Sequence, residues 1–248
     1  PGLLTGNIRV DADSTIDSAG GRFRWNLCCR QLACRVPDCG GCGSCTLPPN
    51  GYSKLDFILG YRYFGLDETL TINESLMTQT APFGSIRIDD SYAVNNNFHG
   101  GELGFVWEGA WRRWTLEMLS KVALGGVQQE AILDGSTVIS EVGGGTQTFP
   151  GGLLVLDPIT YDRTQFGVLP ELGATLGCYL TPRLRATVGY TFMFLSPVIR
   201  PGNVINTTVN GDAVNAPLTG GGTEVPEFVL NETHLWLQGL NVGLDLRW

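Results

Sequence analysis

The last nine residues, Leu240 to Trp248, alternate without a miss. Leu240, Val242, Leu244, Leu246 and Trp248 fall on one side, and Asn241, Gly243, Asp245 and Arg247 on the other. Successive side chains of a strand point to opposite faces, so this pattern predicts a strand with one apolar face and one polar or glycine face. Six earlier segments repeat it. Phe23, Trp25 and Leu27 oppose Arg22, Arg24 and Asn26; Leu55, Phe57, Leu59, Tyr61 and Tyr63 oppose Lys54, Asp56, Gly60 and Arg62, with Ile58 an apolar exception. Leu103, Phe105 and Trp107 oppose Glu102, Gly104 and Glu108; Trp114, Leu116, Met118, Val122 and Leu124 oppose Arg113, Thr115, Glu117 and Lys121. Leu172, Ala174 and Leu176 oppose Glu171, Gly173 and Thr175. Leu184, Ala186, Val188, Tyr190, Phe192 and Phe194 oppose Arg183, Arg185, Thr187, Gly189 and Thr191. Period-two alternation of this kind predicts seven strands.

The connections sort into two kinds. Tight turns are expected at residues 108–112 and 180–182, and long Gly-, Asn-, Thr- and Pro-rich loops at 69–97, 131–163 and 198–233. Residues 1–13 hold at most one further strand, with Ile8, Val10 and Ala12 opposing Arg9, Asp11 and Asp13, or else extend the first one. Short turns at one end and long loops at the other are expected of outer-membrane barrels, with the short turns periplasmic. With Trp248 at the short-turn end, Trp25, Trp107, Trp111, Trp114 and Trp248 gather there as an interfacial aromatic girdle, while Tyr63 and Trp236 fall near the other end.

A soluble secreted β-sandwich acting as a binding module also alternates, with its apolar face inward. Strand length, aromatic residues at strand ends and a scarcity of lysine favour the barrel. Lys54 and Lys121 are the only lysines, and the 248-residue chain carries a net charge of −8. That balance offers no basic surface for nucleic acid. No apolar run approaches the roughly twenty residues of a membrane helix, and barrel strands need none. No signal peptide is visible, and Pro1 in place of Met suggests a processed or truncated start.

Several stretches are similar to one known family. They include Leu55-Asp56-Phe57-Ile58-Leu59-Gly60-Tyr61-Arg62-Tyr63 and Leu66-Asp67-Glu68-Thr69-Leu70, then Phe98-His99-Gly100-Gly101-Glu102-Leu103-Gly104. Lys121-Val122-Ala123-Leu124-Gly125, Pro170-Glu171-Leu172-Gly173, Leu180-Thr181-Pro182-Arg183-Leu184-Arg185 and Trp236-Leu237-Gln238-Gly239-Leu240 follow in order. Together they resemble the porin-like bacterial outer-membrane proteins grouped as the seventh beta-barrel porin family. The resemblance implies an outer-membrane barrel and says little about a substrate. The Cys-rich insert departs from the family pattern.

That insert, residues 28–53, holds Cys28, Cys29, Cys34, Cys39, Cys42 and Cys45. Thiolate sites for zinc or an iron–sulfur cluster use such spacings, but an oxidising space favours disulfides stapling a coreless loop. Six cysteines allow fifteen pairings, and spacing does not choose among them. No metal and no cofactor is therefore expected. His99 and His234 are the only histidines, so a Ser-His-Asp triad or a His-rich metal site lacks its parts. Gly143-Gly144-Gly145 and Gly220-Gly221-Gly222 lack the Lys-Ser or Lys-Thr of a phosphate loop.

The expected fold is thus all-β: one antiparallel transmembrane β-barrel over residues 1–248, with seven or eight strands visible and the insert on the periplasmic side. Arg22, Arg24, Asp56, Arg62, Glu102, Glu108, Arg113, Glu117, Lys121, Glu171, Arg183, Arg185, Asp245 and Arg247 are expected to line the lumen. Opposed acids and arginines across a pore favour small polar solutes. The expected function is passive diffusion of small hydrophilic solutes in the bacterial outer membrane, without enzymatic activity, with the long loops as steric gate and the C-terminus periplasmic. A structural or surface-interaction barrel with an occluded lumen is the alternative. Expected partners are outer-membrane lipid and those solutes, with no nucleic acid. Seven strands is an odd count, so the wall closes with an eighth strand, further upstream strands, or a neighbouring chain of a homo-oligomer.

Overall fold

The structure, a computed structural model, describes residues 4–31, 51–81, 83–206 and 228–246. Eight strands form one antiparallel sheet: β1 (Leu4–Gln31), β2 (Tyr52–Thr78), β3 (Gly84–Trp111), β4 (Trp114–Glu141), β5 (Gly145–Pro150), β6 (Ile159–Tyr179), β7 (Leu184–Val198) and β8 (Thr233–Leu246). The order is β1-β2-β3-β4-β6-β7-β8, with β5 paired to the upper end of β4. A single helical turn, α1 (Pro201–Val204), follows β7. The sheet curls into a half-barrel, and Arg62 of β2 reaches Met193 of β7 across the concavity, Nη2 to Sδ 3.7 Å. Among the described residues β1 pairs only with β2, and β8 only with β7. There is no second sheet here to bury the apolar faces, which sets the sandwich aside.

The strands are far longer than expected. The 28 residues of β1, β3 and β4 each span about 90 Å at roughly 3.3 Å per residue, whereas a membrane strand needs about ten. Residues 69–97 are not a loop: they are the upper halves of β2 and β3 and the turn between them. Most of 131–163 likewise belongs to β4, β5 and β6, and residues 4–13 extend β1. Of the expected loop 198–233, the described residues 199–206 and 228–232 lie off the strands, and Ile199, Val204, Ile205, Phe228 and Leu230 pack inward. The reason is a switch in polarity along each strand. Below the register row Ala19–Tyr63–His99–Gly126–Phe166, outward residues are apolar and inward ones charged or glycine. Above it the sense reverses. On β2 the inward residues become Phe64, Leu66, Leu70, Ile72 and Leu76, and the outward ones Asp67, Thr69, Thr71, Asn73 and Ser75.

Each half matches a different solvent. In the lower half Phe23, Trp25, Leu59, Phe105, Met118, Leu172, Val188, Val242 and Leu244 are exposed on the convex face. A contiguous exposed apolar belt of this kind marks a surface that meets something other than water. The upper half has the inside-out pattern of a water-surrounded sheet. Its concave side holds an apolar cluster of Tyr92, Val94, Ala131, Leu133, Val155, Ile199 and Val204. Just above the row of inversion lies a second cluster of Phe64, Leu66, Phe98, Ala123, Val127, Leu169, Leu195, Val198 and Leu235. No helix among the described residues is long and apolar enough to cross a membrane, which says nothing of strands.

Aromatic residues frame this exposed apolar belt. Trp25, Trp107, Trp111 and Trp114 stand exposed near the tight-turn end, and Trp248 lies outside the described residues. At the upper edge Tyr61 and Tyr63 pack around His99, the Tyr61 hydroxyl 2.6 Å from His99 Nδ1 and the Tyr63 ring 4.9 Å away. Trp111 and Trp114 pair across a two-residue hairpin whose first residue, Arg112, has φ of 54°.

Candidate functional site

The inward face of the lower half carries most of the charged residues singled out above. Arg22, Arg24, Asp56, Arg62, Glu102, Glu108, Glu117, Lys121, Glu171, Arg185 and Asp245 all project from it. Three do not join them. Arg113 and Arg183 sit exposed in the tight turns, because β4 and β7 begin only at Trp114 and Leu184. Arg247 lies outside the described residues.

The charges form a belt of separate ion-pair groups. Lys121 Nζ stands 2.9 Å from both Glu102 Oε2 and Glu171 Oε2, and its side chain is 1% exposed. Arg22 approaches Glu102 at 4.0 Å, and Arg62 approaches Glu171 at 3.6 Å. Lower down, Arg24 contacts Asp56 and reaches Glu108 at 2.7 Å, Lys54 reaches Asp56 at 2.8 Å, and Arg185 reaches Asp245 at 3.5 Å. Glycines give these long side chains room to lie across the wall. Arg62 stands in a register row with Gly20, Gly100, Gly125 and Gly167. A side chain at Gly104 would strike Lys121. The result is a zwitterionic surface, with acids and bases from seven strands interleaved.

Sequence reasoning missed a second polar tier, because it lies where loops were expected. Above the Phe64 cluster, Glu68, Asn96, Gln129 and Arg163 project inward from β2, β3, β4 and β6. Arg163 donates to Gln129 Oε1 at 2.8 Å and to Glu232 Oε1 at 2.5 Å. Higher still, the buried Asp90 accepts three backbone N–H groups, from Leu153 at 3.1 Å, Leu154 at 3.2 Å and Val155 at 2.8 Å. A side chain at Gly152 would run into that carboxylate. The signal was present: apolar residues keep alternating through Ile86, Ile88, Tyr92 and Val94, on the face that is charged lower down.

Asp90 anchors residues 151–157 inside the upper half, and its contacts yield a prediction. Replacing Asp90 with Ala leaves three inward N–H groups without an acceptor and is expected to cost about 2–4 kcal/mol, since each buried unpaired group costs about 1–3. Asp90→Asn keeps one acceptor and is expected to cost far less. Burial holds the Asp90 carboxyl above the usual carboxylate range, against the pull of the three N–H donors, and burial with the Asp90 charge raises Glu74. With these native pKa values above the unfolded ones, the folded state binds more protons in that window, so stability falls as pH rises through it. Thermal unfolding against pH should show that decline in the parent and a shallower one in Asp90→Asn. An equally steep decline in the variant would remove Asp90 from the account.

Of the six cysteines expected to staple the insert, Cys28 and Cys29 lie among the described residues. β1 continues through Cys29 to Gln31, with a register shift between Asn26 and Cys28. Cys28 is a free, exposed thiol, which corrects its place among the stapling candidates. Cys34, Cys39, Cys42 and Cys45 lie outside the described residues. Among the described residues no group of three or more His, Cys, Asp or Glu is arranged to hold a metal ion. His234 is a boundary residue like His99, 2.8 Å through Nδ1 from Ser196 Oγ.

Residues 1–248 match the family described as Putative beta barrel porin-7 (BBP7). No curated protein and no solved structure matches the chain.

Proposed function

From the premise that the chain belongs to this family of β-barrel porins of the bacterial outer membrane, we propose that it passes small hydrophilic solutes by passive diffusion. The observation that carries the reading is the inward belt of interleaved acids and bases centred on Glu102, Lys121 and Glu171. Such a surface offers polar solutes hydrogen bonds and a transverse field, and offers apolar ones nothing. Charged residues Arg22, Arg24, Asp56, Arg62, Glu108, Glu117, Arg185 and Asp245 line the path. The convex belt meets outer-membrane lipid, the tryptophans form its lower girdle, and the tight turns with the C-terminus face the periplasm. The cysteines beyond Cys28 close the segment between β1 and β2 through disulfides.

A second reading, a structural or surface-interaction barrel with an occluded lumen, draws on one observation. Side chains of β2 meet those of β7 across the concavity, and the Phe64 cluster fills the space above them. Planar-bilayer recording and vesicle swelling on the full-length protein separate the two. Stepwise ion conductance, with sugar entry falling as solute size rises, is expected from the first. A folded barrel that never conducts under any condition tested would leave the second.

A further inference from the structure

The end of β7 bends at a register shift between Leu195 and Val198, and residues 196–204 run on across the concave face as a strap. Two strands hold its backbone and a third holds its Arg200 side chain. Asn96 of β3 donates through Nδ2 to the Ile199 carbonyl and accepts the Ile199 N–H at Oδ1, both at 2.8 Å. Gln129 of β4, directly opposite Asn96 in register, donates through Nε2 to the Pro197 carbonyl at 3.2 Å. The Arg200 guanidinium forks onto Glu68 of β2, with Nε to Oε2 at 2.8 Å and Nη2 to Oε1 at 2.5 Å. Between these ties Val198 joins the cluster of Phe64, Leu66 and Phe98 below, while Ile199 and Val204 join that of Tyr92 and Val94 above.

The chemistry of the sockets is informative. Asn96 and Gln129 are 0% exposed, and they pair backbone groups of the strap, Ile199 N–H and C=O and Pro197 C=O, that would otherwise turn to water. Buried amides suit a surface that exchanges its cover, because water satisfies them once the strap leaves, at little cost per group. The strap lies above the belt of Glu102, Lys121 and Glu171, with the Phe64 cluster between them.

We propose that residues 196–204 are the closing element of the conduit, docked on Asn96, Gln129 and Glu68 when it is shut and released from them when it is open. The inference rests on the diffusion reading and names the part that limits passage. It takes over the gating role expected of the long outer loops.

The test uses the full-length protein in lipid, with two variants and two readouts. Arg200→Gln loosens the strap from its own side, at a half-exposed residue that is not part of the barrel wall. Asn96→Ala removes the socket from the wall side. Hydrogen exchange of the Ile199 amide reports docking, and single-channel recording reports passage. Expected are at least tenfold faster Ile199 exchange and several-fold higher unitary conductance, or more time open, in both variants. Should Asn96→Ala fail to fold, Arg200→Gln carries the test alone. Faster exchange with conductance unchanged from a conducting parent overturns the strap and leaves the diffusion reading intact. Unchanged exchange in folded variants overturns it as well, because the named contacts then do not hold the strap. A silent parent with a conducting Arg200→Gln supports it. Silence in parent and variants alike, with the strap demonstrably released, removes the diffusion reading itself.

Discussion

Replacing Lys121 with methionine should destabilise the barrel by about 3–5 kcal/mol, the usual cost of removing one partner of a buried ion pair. The lysine is enclosed between Glu102 and Glu171, whose side chains are 3% and 13% exposed. Methionine nearly preserves its volume, so the loss is electrostatic and not a cavity. Both carboxylates then keep only their longer contacts, Arg22 at 4.0 Å and Arg62 at 3.6 Å. Adding Glu102→Gln to Lys121→Met should recover part of the loss, and the double-mutant cycle gives the coupling. Urea titration of the protein in vesicles measures all three variants. A loss below about 1 kcal/mol, the value of an exposed pair, would mean that water already reaches these groups and that the belt is not sealed.

The second large effect tests which side meets lipid. Val188 and Leu244 project outward from β7 and β8, well below the row of inversion, and are exposed. Arginine at either site should cost about 2–4 kcal/mol if the site lies near mid-membrane. Thr187 is the adjacent inward position, and Thr187→Arg should cost less, since its guanidinium enters a polar interior. Gly243 is a poor control, because a side chain there would press on Thr187 Oγ1 at 2.9 Å. Folding titrations of Val188→Arg, Leu244→Arg and Thr187→Arg give the contrast. Equal losses on both faces would contradict lipid exposure.

The lower half of the sheet was legible from alternation alone, because there one face is apolar and the other charged for every strand. β7 and β8, the charged faces of β2 and β4, and the two tight turns follow from that pattern. The upper half was not legible. Its alternation persists, but Thr, Asn, Ser and Asp take the outward positions, and those residues also fill loops. A reading tuned to one sense of alternation loses the strand where the solvent changes, near Tyr63 and His99. Register repairs this, because β2 and β3 stay paired from Tyr52↔Ala110 to Met77↔Ser85. Asn96, Gln129 and Asp90 were unreadable for another reason: each matters through backbone groups brought to it from far along the chain. Their partners Ile199, Pro197 and residues 153–155 carry no side-chain signal of the contact.

Direction has a bearing on how the wall is completed. β1 and β8 run the same way, from the upper end towards the tight turns, because the seven strands of the sheet path alternate in direction. In hydrocarbon a free strand edge leaves N–H and C=O groups unpaired at several kcal/mol each. Any set of strands that joins β8 back to β1 with antiparallel pairing throughout must have an odd number of members. A second copy related by a twofold axis along the membrane normal fails that condition, since its β1 would lie parallel to the first copy's β8. An odd complement added to seven makes an even total, the parity that bacterial single-chain barrels obey.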